Sequence, residues 1–108
     1  MNSNRFDIIV YASDLSKEEL QNYLNGLKNV RKWAFVLHKD GVKPHYHIFL
    51  ECIVRPDLAA LAACFAVPVG MINELRGPLV NYFHYLVKKV SPYDVVANFN
   101  FIAALNRK

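Results

Sequence analysis

The order of segments along the chain constrains its fold more than any other feature of the sequence. Runs of β-branched and aromatic residues predict strands, and helical spacing with capping residues predicts helices. In chain order these are strand 6–12, a helix after Ser16, strands 32–39 and 43–52, a helix after Pro56, strand 69–75, a helix over 78–89 and an amphipathic segment over 94–105. A hairpin between two strand–helix units favours an antiparallel sheet. We predict an α+β, ferredoxin-like fold with helices on one sheet face and the other face open.

Length and composition predict one domain over residues 1–108, with a formal net charge of +4. The longest apolar stretch, from Leu58 to Val69, is shorter than the roughly 20 residues of a membrane-spanning helix, and it contains Pro68. The N-terminus lacks the apolar core of a signal peptide. We therefore expect a cytoplasmic protein without membrane contact. The positive charge suits a polyanionic partner, although many basic domains have other roles.

Three of the four histidines are predicted to share the open face. Strand alternation puts His45 and His47 on the side opposite the apolar set around Ile48. On the preceding strand His38 is also opposite the apolar set, and a turn at Asp40-Gly41 would bring it across from His45. Neutral imidazoles on adjacent strands can converge on one divalent ion, with Asp40 as an added oxygen ligand. The alternative is a solvated or hydrogen-bonded His-x-His pair, the commoner situation for this pattern.

The helix after Gly77-Pro78 adds a candidate nucleophile. Its buried stripe is predicted to be Leu79, Tyr82, Phe83 and Leu86. Tyr85 lies off that stripe, on the side of Lys88 and Lys89, where a tyrosine is ordinarily a boundary residue. Beside a metal site, its phenol could act as a nucleophile. Tyr82 and Tyr93 are rivals, and a paired mechanism using Tyr82 with Tyr85 stays open because residues three apart are neighbours on a helix.

These motifs together resemble the HUH endonucleases, and most closely the nicking domains of plasmid rolling-circle replication initiators. The residues Lys43-Pro44-His45-Tyr46-His47 resemble the family's His-hydrophobic-His motif, including the Lys-Pro that usually precedes it. The upstream histidine motif resembles residues 33–40, ending in His38-Lys39-Asp40, and the nucleophile motif resembles Tyr85-Leu86-Val87-Lys88. Residues 94–99 resemble the segment that closes the nicking domain. The resemblance extends over residues 6–99.

The resemblance implies that His38, His45 and His47 bind Mn²⁺ or Mg²⁺ and that Tyr85 attacks DNA. It also implies nicking and joining of single-stranded or hairpin origin DNA through a 5′-phosphotyrosine, together with host helicase and replication proteins as partners. Two positions depart from the pattern. Asp40 stands closer to the upstream histidine than the aspartate ligand of some relatives, and Lys88 replaces a histidine that is usual in plasmid members, whereas viral relatives have Tyr-x-x-Lys.

Positive side chains near these motifs are the predicted contacts with the DNA backbone. They are Lys39, Lys43, Arg76, Lys88 and Lys89. Phe49, on the face of the histidines, could stack a base, and half-buried packing is the alternative for this ring. Alternative functions are a single-tyrosine HUH transposase, a non-catalytic ferredoxin-like nucleic-acid-binding domain, and a domain in which the metal is structural.

Overall fold

The computed structural model describes residues 3–13, 15–39, 41 and 43–107, and it confirms the predicted α+β, ferredoxin-like class. The strands are β1 (Arg5–Tyr11), β2 (Val30–His38), β3 (His45–Cys52), β4 (Ile72–Glu74) and β5 (Val96–Ala97). The helices are α1 (Lys17–Asn25), α2 (Leu58–Cys64), α3 (Leu79–Leu86) and α4 (Phe101–Leu105), with 3₁₀ turns at Val69–Met71 and Pro92–Asp94. Within the described residues, no helix has the length and apolar character needed to cross a membrane.

The five strands form one antiparallel sheet in the order β4-β1-β3-β2-β5. Strand β3 is central and pairs along its length with β1 and β2. At one end of these pairings, His45 is the cross-strand partner of both His38 and Tyr11. The short strand β5, which the sequence did not predict, pairs with β2 at Ala34 and Phe35. The sheet therefore places the ends of β1, β3 and β2 side by side.

Helices α1 and α2 cover one face of the sheet. Helix α1 begins at the predicted capping box, in which the Ser16 hydroxyl accepts from the Glu19 N–H and the Glu19 carboxylate accepts from the Ser16 N–H, both at 3.1 Å. Alternate residues of β1, β2 and β3 point towards these helices, as their apolar pattern predicts. The buried members of this core are Phe6, Ile8, Leu20, Leu24, Trp33, Phe35, Tyr46, Ile48, Leu50, Cys52, Leu61 and Phe65.

The other face is only partly open, because α3 and α4 pack on it around a second apolar core. The buried members of this core are Ala34, Val36, Phe49, Phe83, Leu86, Phe101 and Leu105. The prediction of helices on one face alone is wrong, since apolar side chains on this face of β2 and β3 also need cover. The Phe49 ring, for example, meets Phe83 edge-on at 5.2 Å between centroids. The histidines lie beyond the end of α3 on this same face.

Candidate metal centre and nucleophile

The three predicted histidines meet where β2 and β3 form their hairpin. His38 closes β2, and His45 and His47 lie two residues apart on β3. Their ring centroids are 4.5 Å apart for His38–His47, 5.1 Å for His45–His47 and 5.6 Å for His38–His45. One nitrogen of each ring lies within 4.8 Å of one nitrogen of both other rings. The three side chains therefore form a group that could hold a metal ion.

Each of these rings uses one nitrogen in a hydrogen bond to an oxygen that can only accept. Nε2 of His38 donates to the Leu86 carbonyl at 2.9 Å, and Nδ1 of His45 donates to the Lys43 carbonyl at 3.0 Å. Nδ1 of His47 donates to the Asp7 carboxylate at 3.2 Å. In the neutral form of each ring, this bond fixes the tautomer. That form has a lone pair on Nδ1 of His38 and on Nε2 of His45 and His47.

Asp7 is a functional candidate that the sequence analysis missed. It is buried within β1, and both oxygens of its carboxylate lie within hydrogen-bond distance of His47 Nδ1, at 3.2 and 3.3 Å. Its Oδ1 also accepts from the Tyr82 hydroxyl at 2.7 Å. A buried carboxylate needs partners because its desolvation is otherwise costly. The signal was present in the sequence, where Asp7 interrupts the apolar run between Phe6 and Ile8.

The donor set fits a divalent transition metal. Imidazole nitrogens bound to one such ion at about 2.1 Å lie roughly 3.0–3.4 Å apart. One nitrogen of each ring lies within 4.8 Å of the others here, so the rings would have to move closer together to share an ion. Metal-binding histidines commonly donate their second ring N–H to a carboxylate or a carbonyl oxygen, which orients the ring. All three rings have such a partner here. His47 is buried, whereas His38 and His45 are partly exposed, so the group is reachable from solvent.

Tyr85 lies beside the histidines because the end of α3 is bonded to one of them. The Leu86 carbonyl that accepts from His38 belongs to the residue following Tyr85. The Tyr85 ring stands edge-on to His47 at 5.8 Å between centroids and is 54% exposed. Tyr85 and His38 line a cavity of about 240 Å³ together with Lys88 and Lys89. The phenol is therefore accessible at the edge of the histidine group.

The rival tyrosines have different surroundings. Tyr82 packs with Phe49 and Phe83 and donates its hydroxyl to Asp7. Tyr93 is 83% exposed in the 3₁₀ turn Pro92–Asp94. The Tyr82 hydroxyl is thus occupied with a carboxylate, and Tyr85 is the tyrosine whose ring contacts a histidine of the group.

The other predicted site residues fall into four groups. Lys39, Lys43 and Lys88 are exposed near the histidines, whereas Arg76 forms an ion pair with Glu74 (2.9 Å), at the opposite end of the sheet. Asp40 lies outside the described residues. The prediction that Phe49 stacks a base is wrong, because α3 covers its ring and leaves it 0% exposed.

The contact between Tyr82 and Asp7 predicts a pH-dependent contribution to stability. Burial, followed by the negative charge of Asp7, raises the pKa of Tyr82 well above its ordinary value of 10. The unfolded chain therefore loses this proton at lower pH than the folded chain does. The stabilising contribution is full below about pH 10 and is lost as the pH rises through the folded pKa.

Urea unfolding of the wild type and Tyr82→Phe, measured from pH 7 to pH 11, tests this expectation. The wild type should have the larger free energy of unfolding at neutral pH, and the difference should shrink above about pH 10. Tyr23 and Tyr46, whose pKa values burial also raises, are present in both proteins and cancel in the comparison. A constant difference across the range would show that the Tyr82 hydroxyl does not contribute through this bond.

The assembled group could hold a metal ion next to an exposed phenol and a lysine. The ring nitrogens would hold the ion, and Tyr85 and Lys88 line the cavity next to His38. Neither protein-family models nor curated proteins gave a match to this chain.

Proposed function

We propose that the protein is a metal-dependent nicking and joining enzyme for single-stranded DNA, of the HUH type that initiates plasmid rolling-circle replication. The observation that carries the proposal is the placement of an exposed tyrosine against three histidines, each of which donates from one ring nitrogen to a protein oxygen and would use the other for a metal ion. The order of the sequence motifs supports the same assignment. A plasmid origin and host helicase and replication proteins belong to this proposal through the resemblance of those motifs.

The proposed reaction uses the histidine group as a metal site and the neighbouring Tyr85 as the nucleophile. A divalent ion on the histidines would supply Lewis-acid polarisation of a nonbridging phosphate oxygen. The Tyr85 oxygen forms a bond to phosphorus while the bond from phosphorus to the 3′ oxygen breaks. The phenol proton leaves to solvent through the exposed hydroxyl, and the departing 3′ oxygen takes a proton from water. The products are a 5′-phosphotyrosine and a 3′-hydroxyl.

Joining is the reverse of this exchange. The phosphotyrosine bond conserves the phosphodiester bond, so another 3′-hydroxyl can displace Tyr85 without an energy-supplying cofactor. Lys88 lines the cavity with Tyr85 and offers a positive charge to the phosphate in both directions. A lysine in this place fits phosphate binding as well as the histidine of plasmid relatives would, since both can donate to an oxygen.

Mn²⁺ suits this ligand set better than Mg²⁺ does. Imidazole nitrogens are weak ligands for Mg²⁺, which prefers oxygen atoms and retains its waters. The fixed tautomers present nitrogen lone pairs, and the partial exposure of His38 and His45 leaves room for water or phosphate oxygens. We propose Mn²⁺ as the more effective ion, with Mg²⁺ as the weaker substitute.

A covalent trapping assay tests the function. The protein is incubated with a randomised single-stranded DNA pool flanked by constant sequences, with Mn²⁺ or with EDTA, and denaturing gels are examined for DNA attached to protein. We expect an adduct with Mn²⁺, less with Mg²⁺ and none with EDTA. Metal-independent binding without any adduct would instead favour a non-catalytic nucleic-acid-binding domain, and metal-enhanced stability alone would favour a structural metal site.

A further inference from the structure

An exposed tyrosine that the sequence analysis did not select lies on the other side of the histidine group from Tyr85. Tyr11, at the end of β1, is the cross-strand partner of His45 and is 50% exposed. The Lys43 ammonium lies 5.5 Å from the centroid of its ring. The carbonyl of the same Lys43 accepts from His45, so ring, ammonium and histidine are held as one unit. This unit offers an aromatic face and a positive charge together.

A cavity adjoins Tyr11 at the edge of the sheet. Strand β4 pairs only with Phe6, Asp7 and Ile8, so beyond Ile8 the edge of β1 faces the 3₁₀ turn Val69–Met71. The space between them is about 420 Å³, in the size range of small-molecule sites. Its lining is mainly apolar, with Ile9, Val67, Pro68 and Met71 among its walls. None of the described residues that line it carries a carboxylate.

The positions of the two tyrosines define the direction of a bound strand. Strand β3 lies between β1 and β2, and Tyr11 belongs to β1, whereas the end of α3 is bonded to His38 on β2. Tyr85 and Tyr11 therefore flank the histidines from opposite sides. In an in-line displacement, the leaving oxygen departs on the side of phosphorus opposite to the attacking oxygen. With Tyr85 attacking, the nucleotide that carries the leaving 3′ oxygen lies towards Tyr11.

We propose that Tyr11, Lys43 and the adjoining cavity bind the nucleotide immediately 5′ of the scissile phosphate. This inference depends on the proposed function for its direction. The unpaired base enters the cavity and stacks on the Tyr11 ring, while Lys43 contacts the neighbouring phosphate. After cleavage the same contacts hold the new 3′-hydroxyl end next to the phosphotyrosine. The subsite thereby favours rejoining over loss of the released strand.

The test uses Tyr11→Ala and Tyr11→Phe. The control is Tyr93→Ala, which also removes an exposed tyrosine ring, from the 3₁₀ turn Pro92–Asp94. The first measurement is fluorescence anisotropy with a labelled dT12 oligonucleotide, carried out with Mn²⁺ in a Tyr85→Phe background so that cleavage does not interfere. We expect about tenfold weaker binding with Tyr11→Ala, from the loss of one stacked base. Tyr11→Phe should bind like its parent because it keeps the ring, and so should Tyr93→Ala.

The second measurement uses the randomised pool with active protein, sequencing the released fragments that end in a 3′-hydroxyl. The wild type should show a base preference at the last nucleotide before the nick, and Tyr11→Ala should lose it while retaining preferences on the 3′ side. Mn²⁺ affinity, measured by titration calorimetry, should be the same for Tyr11→Ala and wild type, which separates a DNA contact from damage to the histidines.

The outcomes distinguish this inference from the proposed function. Unchanged dT12 binding by Tyr11→Ala, or loss of the adduct with Tyr11→Phe, would overturn the stacking role even when the wild type forms an adduct. A change in preference on the 3′ side would overturn the assigned direction. Absence of an adduct from the wild type, with weakened dT12 binding by Tyr11→Ala, would refute the nicking function and the 5′ assignment while retaining a base-binding site.

Discussion

Replacement of Tyr85 by Phe is expected to abolish the covalent protein–DNA adduct, whereas replacement of Tyr82 by Phe leaves it detectable. The Tyr85 ring is exposed beside His47. Only its hydroxyl oxygen can form the ester with phosphorus, and Phe lacks that oxygen. The Tyr82 hydroxyl already donates to buried Asp7, and burial raises its pKa well above 10, so its phenolate is strongly disfavoured. Denaturing gels after incubation with Mn²⁺ and the DNA pool measure both variants.

Two controls make this comparison decisive. Mn²⁺ affinity of Tyr85→Phe should equal that of wild type, because the phenol is not needed to fix the tautomer of any of the three rings. Tyr93→Phe should form the adduct normally. An adduct lost only with Tyr82→Phe would contradict the assignment of Tyr85, and an adduct weakened equally by both changes would indicate a paired-tyrosine mechanism.

Asp7→Asn is expected to weaken Mn²⁺ binding by about 10- to 100-fold, the usual effect of removing a partner that orients a metal-binding histidine. Asn keeps the shape of Asp7, but it has no negative charge, and an NH2 group takes the place of one of the two oxygens that accept from His47 Nδ1. A buried amide N–H would then face the His47 N–H, so we also expect the free energy of unfolding to fall by about 1–3 kcal/mol. Titration calorimetry and urea unfolding measure the two effects.

Tyr82→Phe is the matched control for Asp7→Asn. It removes the other hydrogen bond of the same carboxylate but leaves the bond to His47, so its loss of Mn²⁺ affinity should be smaller than that of Asp7→Asn. His47→Ala gives the reference for a missing ligand. If Asp7→Asn binds Mn²⁺ as tightly as wild type, the carboxylate does not orient His47 and its role is confined to the core.

The grouping of the three histidines could be predicted from the sequence because it depends on strand alternation and on the pairing of two consecutive strands. His45 and His47 are two residues apart, and His38 is the cross-strand partner of His45. Such local relations follow from the period of a strand. The capping box of α1 at Ser16 is likewise a local pattern, and its hydrogen bonds are present.

The missed features depend on contacts between residues that are distant in sequence. Asp7 reaches His47 and Tyr82 only after β1 pairs with β3 and α3 packs over them. Phe49 alternates with His47, so its place on the histidine face was correct, but the position of α3 that buries it could not be derived from strand periodicity. The two-residue strand β5 is too short to give a periodic signal.

The hydrogen bond from His38 to the Leu86 carbonyl has a consequence for how tolerant the protein is of small structural errors. Tyr85 precedes Leu86, so the end of α3 that carries the phenol is hydrogen-bonded to one of the histidines in addition to packing on the sheet. A substitution that displaces the end of β2 should therefore move His38 and the end of α3 together. We expect the distance between the Tyr85 phenol and the histidines, on which the proposed reaction depends, to change less than either position does.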